Sequence, residues 1–190
     1  MLVVVAAIVV PKIDGKNLVW RALMKTPVVF TQQVQDAYNY AYESYLTASH
    51  PISSAAVYGP VLRSHLAKYL VVYATEVLWM VPDTWMICEF TDLWTQTEEM
   101  QTYIIQACQL GLMGVNTSLF NPNDAVSKAS FVTIFSRMLF GTTYDGGEPY
   151  YVWHLNGLYQ QWIIANTNNP WGDVARWYVR FAMMKGNELQ

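Results

Sequence analysis

Residues 111–131 read GLMGVNTSLFNPNDAVSKASF. Two glycines, three asparagines and a proline crowd its first fourteen positions, and then apolar residues recur at helical spacing. Gly111 also closes the helical pattern EEMQTYIIQACQL at 98–110, because a glycine just past a helix supplies the left-handed backbone that turns the chain. The stretch is thus the joint of a helix–loop–helix unit.

The same punctuation recurs on both sides. Before it, TQQVQDAYNYAYESY at 31–45 puts Val34, Ala37, Tyr38, Ala41 and Tyr45 on one helical stripe. The loop TASHPISSAAVYGP then leads to a helix over 62–79 that stops before Pro82. After the stretch, the helix AVSKASFVTIFSRMLF ends at Gly141, and a third round follows with helices near 150–162 and 173–185 around the loop IIANTNNPWG. The fold expected is all-α, with three helix–loop–helix units over about 30–87, 88–145 and 146–187. The basic residues near the start of each second helix are Arg63, Lys128 and Arg176, at intervals of 65 and 48 residues. Unequal intervals mean insertions in loops rather than a strict solenoid period, yet three such units can share one core because no helix pair buries its apolar face alone. Leu66, Leu70, Phe131, Phe135, Tyr178 and Phe181 recur three or four apart on the second helices and form the expected core stripe.

The chain of 190 residues is 53% hydrophobic and 13% charged, with a net charge of −3, enough apolar surface for one globular domain. Its 11 Lys and Arg are scattered, so nothing matches the basic stripe of a nucleic-acid binder. The nine apolar residues Leu2–Val10 are too few to span a bilayer, which needs about 20. Two readings of residues 1–29 stay open: a degenerate secretory signal without a leading basic residue, or a buried strand rich in Val and Ile.

The middle unit resembles the S-layer homology family, whose repeat runs as F-x-D, a helix ending in Gly, a G-x-x-G-like turn, F-x-P and a V-(T or S)-R-A-E start to the second helix. Here these stand as Phe90-Thr-Asp92, Gly111-Leu-Met-Gly114, Phe120-Asn-Pro122 and Val126-Ser127-Lys128-Ala129-Ser130. The resemblance implies three repeats in a pseudo-threefold bundle, and binding of cell-wall polysaccharide, often pyruvylated, in grooves between repeats. The family's basic residue falls on Lys128, and by weaker alignment on Arg63 in VLRSH and Arg176 in DVARW. The outer units depart from the pattern. Tyr45 and Trp162 replace the helix-ending glycine, Leu62-Arg-Ser-His65 lacks the capping box, and Asp173 is the residue available to cap the last helix.

An anionic sugar is then expected at the amide end of a second helix, with Lys128, Arg63 or Arg176 as its counter-charge and Trp94 or Trp171 as a flat apolar face. Lys128 is the leading candidate and is expected to be exposed, contributing little to stability. His50, His65 and His154 have no second ligand at metal spacing, and no nucleophile elbow or phosphate loop is present, so neither a metal, a cofactor nor catalysis is expected. Glu98 and Glu99 suit the positive end of a helix dipole. Cys88 and Cys108 allow two buried thiols or, in an exported protein, a bridge. The functional expectation is a non-catalytic, secreted or cell-surface domain that anchors to wall polysaccharide. The alternative is a structural protein-interaction domain that keeps the fold without a glycan site.

Overall fold

The computed structural model describes residues 29–189; the signal-or-strand question for residues 1–29 therefore lies outside the described residues except for Val29. The described chain is all-helical, with α1 Gln32–Glu43, α2 Arg63–Glu76, α3 Glu98–Gln109, α4 Lys128–Phe140, α5 Val152–Gln160 and α6 Arg176–Asn187. A 3₁₀ turn at Ile52–Ser54 precedes α2. Caps set the starts: Thr31, Thr97 and Ser127 each accept the backbone N–H three residues on, while Glu98 and Glu99 occupy the first turn of α3. Among the described residues no helix is long and apolar enough to cross a membrane.

What precedes each second helix is an extended tripeptide, and the three of them join. Val61 N donates to Val174 O at 3.0 Å, Val174 N to Val126 O at 2.8 Å, and Val126 N to Val61 O at 2.9 Å, closing a ring of three backbone hydrogen bonds. All three valines are buried, so these peptide groups must find partners in protein. The ring explains why α6 begins at Arg176 rather than at 173. Residues 173–175 are committed to pairing, and the helix is capped by the extended Ala175 with no side-chain bond, so Asp173 is not the cap.

From this ring the helices fan out in packed pairs: α1 with α6, α2 with α3, and α4 with α5. Each helix–loop–helix unit of the sequence is therefore divided between two packed pairs, and the first helix closes onto the last. The second helices meet at the centre. Phe131 and Phe135 of α4 stack at 5.4 Å, Tyr73 of α2 meets Phe135 edge-on at 5.5 Å, and Tyr178 of α6 meets Phe131 at 6.4 Å. All six stripe residues expected from periodicity are buried, from Leu66, Leu70, Phe131 and Phe135 at 0% to Phe181 at 7% exposed. On α1 the stripe stops at Ala41. Tyr45 is 85% exposed, because the helix has ended and turned.

That turn is the same in all three units. Tyr45, Gly111 and Trp162 have φ of 58°, 71° and 60°, so two bulky aromatic residues hold the left-handed conformation that glycine holds in the middle unit. Cys88 and Cys108 form a disulfide that ties the loop before α3 to its last turn.

Two outcomes follow from these turns and the bridge. Trp162→Gly should raise stability by about 0.5–1 kcal/mol in urea unfolding, because an exposed indole loses little packing and the left-handed penalty of about 1–2 kcal/mol exceeds glycine's entropic cost. Reducing the disulfide, whose cysteines lie 20 residues apart, should lower unfolding free energy by about 3 kcal/mol on loop-entropy grounds.

Candidate functional site

Each second helix starts against the loop that precedes the next one in the ring. Arg63 N donates to Asp124 O and Ser64 N to Pro122 O; Lys128 N donates to Gly172 O and Ala129 N to Pro170 O; Arg176 N donates to Gly59 O and Trp177 N to Val57 O. The receiving loops share one turn, in which Ala56, Asn121 and Asn169 have positive φ of 44°, 55° and 48°. Two of the first amides of every second helix are thus occupied. An anion cannot use them as sequence reasoning expected, because neighbouring carbonyls already do.

The pairings place Arg63, Lys128 and Arg176 at equivalent positions, each beside the next unit, but their side chains differ in what they meet. Arg63 Nε donates to Phe120 O at 2.7 Å and its guanidinium lies 5.0 Å from the Phe120 ring centre. Burial lowers its pKa, against the pull of Asp124 and Asp92. The loop it grips is built by the motif residues. Asp92 accepts from Phe120 N at 3.0 Å and from Asn121 N at 2.6 Å, and Phe90 meets Phe120 edge-on at 5.4 Å. Gly114 lies beneath these rings, where a Cβ would come within 2.7 Å of Phe90. Phe90, Asp92, Gly114 and Phe120 thus act as one brace for the loop that receives α2.

Lys128 is half-buried rather than exposed. Its Nζ donates to Asn166 Oδ1 at 2.9 Å and to Asn168 O, and lies 4.6 Å from the Tyr178 ring centre. Burial holds its pKa below the ordinary lysine value. The leading sequence candidate is therefore engaged with the third unit's own loop.

Arg176 opens onto a cavity. A pocket of about 350 Å³ between α2, α6 and the 46–55 loop is lined by Arg176, Arg180, His65, Lys68 and Tyr69, with the backbone-rich edge of that loop opposite. Among the described residues no carboxylate lines it. Lys68 reaches outward to Glu99 at 2.9 Å. His65 is half-buried, and burial, then Arg176, Lys68 and Arg180, hold its pKa below the usual histidine value.

The structure does not bring the expected tryptophans here. Trp94 is 83% exposed on the loop before α3, and Trp171 meets Tyr151 edge-on at 5.0 Å; the aromatic residue in the Arg176 pocket is Tyr69. Sequence reasoning also missed Arg180 and Lys68. The available signal was spacing: Arg176 and Arg180 are four apart on α6, hence on one face, as are His65 and Lys68, three apart on α2.

A second polar cluster is internal. His154 Nδ1 lies 3.1 Å from Ser136 Oγ and its Nε2 3.1 Å from Asp145 Oδ1, with Arg137 Nε also on Asp145 at 2.8 Å. Ser136 and His154 are both 0% exposed, so this order of groups ties α4 to α5 and offers no substrate a route to the serine.

Compared with known proteins, the chain matches no family model and no curated protein.

Because Lys128 is engaged internally, Lys128→Ala should cost about 1–2 kcal/mol of stability, the scale of a partly buried charged hydrogen bond. Thermal or urea unfolding reads it; an unchanged midpoint would mean that the contacts to Asn166, Asn168 and Tyr178 carry no net free energy.

Proposed function

We propose that the protein is a non-catalytic, exported cell-surface domain whose three repeats stand about a pseudo-threefold axis, and that it anchors by binding cell-wall polysaccharide. The observation that carries this reading is the pocket beside Arg176, where cationic side chains face a cavity with no carboxylate in its lining among the described residues. Acidic substituents on a wall glycan, such as pyruvyl groups, are the complementary chemistry. The motif residues of the middle unit form a working structural brace, which supports the family likeness, and the Cys88–Cys108 bridge suits an oxidising compartment. At about 350 Å³ the cavity has room for a sugar ring and its substituent, with Tyr69 as the aromatic wall.

Among the three equivalent basic residues, Arg176 takes the role in ligand binding, while Arg63 and Lys128 fasten neighbouring loops. The second reading, a structural protein-interaction domain, is favoured by that same internal engagement and by the exposed Trp79, Trp85 and Trp94, each at least 79% accessible.

Purified wall polysaccharide, with and without its pyruvyl groups, separates the two. Arg176→Ala should weaken binding of the acidic form about tenfold or more, and the loss should shrink as salt rises. If the native protein captures neither form, the anchoring reading fails and the interaction domain takes its place.

A further inference from the structure

Arg180 lies one turn beyond Arg176 on α6 and is only 2% exposed. Its Nη2 donates to Tyr69 Oη at 3.2 Å, and its guanidinium lies 5.8 Å from the Tyr69 ring centre. Its Nε and Nη1 have no hydrogen-bond partner among the described residues. Burying a guanidinium beside a phenol, with no carboxylate partner among the described residues, leaves a charge without compensation. It lines the same cavity as Arg176, Lys68 and His65, so the missing counter-charge has a place to enter.

His65 is the member of this group able to change charge near neutral pH. In the empty pocket, burial and three neighbouring cations disfavour its protonated form. The groups around it are Lys68 and Tyr69 from α2, Arg176 and Arg180 from α6, and Glu99 from α3, which is paired with Lys68 outside the lining. The 46–55 loop contributes no charged side chain to the lining; its His50 packs instead on Tyr42, with ring centres 5.1 Å apart. A bound anion offsets the field of those cations and so favours the protonated form of His65.

We propose that this pocket takes an acidic group together with a proton: the anion sits between Arg176 and the buried Arg180, and His65 becomes imidazolium beside it. The proposal deepens the anchoring reading and rests on it for the nature of the natural ligand. Its sign is fixed by linkage. Binding raises the His65 pKa from its depressed value, so affinity is greatest below the pKa of the free site and falls as pH rises through the pKa of the occupied site. The recognised group is compact, a carboxylate or sulfate.

The test uses the full chain and sodium sulfate, which stays divalent across the range, in titration calorimetry from pH 5 to pH 8. At pH 6.5 two buffers of different ionisation enthalpy report protons taken up. Sulfate should bind about fivefold or more tightly at pH 5 than at pH 8, with net proton uptake. His65→Gln should keep the binding and flatten the pH dependence, whereas Arg180→Gln should weaken binding at every pH. If circular dichroism shows that Arg180→Gln does not fold, Arg176→Gln takes its place with the same expectation. Lys185→Gln, a charge-matched change elsewhere on α6, should leave both affinity and slope as they were. Sulfate binding with no pH dependence, or the same slope in His65→Gln, overturns the proton coupling. Polysaccharide capture without sulfate binding or competition overturns the anion pocket while the anchoring reading stands; failure of both ligands overturns both.

Discussion

Three valine peptide groups hold this architecture in register. Val61, Val174 and Val126 bond to one another in a closed cycle of 2.8–3.0 Å hydrogen bonds. A buried peptide group without a partner costs free energy on the scale of a lost hydrogen bond, so opening the cycle at one valine orphans groups on two others. The cycle therefore couples segments far apart in sequence. It also dictates that each second helix begins beside the loop of the next unit, which is why Arg63, Lys128 and Arg176 stand in equivalent places.

Equivalent places do not give equivalent chemistry, because each receiving loop has its own side chains. In the middle unit, Phe120 presents a carbonyl and a ring, and Arg63 binds both. The third unit's loop presents Asn166 and the Asn168 carbonyl, which satisfy the ammonium of Lys128. The first unit's loop is rich in Ala and Ser around 47–55, too short to reach Arg176, and there the cavity remains. The difference is one of filling: two cations neutralise their desolvation with internal dipoles, and the third faces open volume with Arg180 behind it.

Charge balance sets what that volume can hold. Lys68 keeps an acidic partner at the surface, while the pocket lining offers Arg176 and Arg180 no carboxylate among the described residues. Burial, and then the field of those cations, lower the proton affinity of His65. The pocket thus holds cations with no carboxylate in its lining among the described residues, in contrast with the Ser136–His154–Asp145–Arg137 cluster, where Asp145 Oδ1 lies 2.8 Å from Arg137 Nε and 3.1 Å from His154 Nε2.

The sequence by itself determined the six helices, their order and their buried stripes, since helical periodicity and caps such as Thr31, Thr97 and Ser127 act over three or four residues. It also marked Arg63, Lys128 and Arg176 as one set and showed Phe90, Asp92, Gly114 and Phe120 as a pattern, although not that they form a brace. It left the cysteines open, because the approach of Cys88 to Cys108 depends on how a 20-residue loop folds back. Tertiary structure alone decided that Tyr45 and Trp162 accept a glycine's backbone conformation, that α1 packs on α6, and that Lys128 is engaged while Arg176 is open. Those outcomes depend on which loop a side chain meets across the valine ring. Segments more than a hundred residues apart, such as Tyr69 and Arg180, meet there, and no local pattern in the chain records their distance.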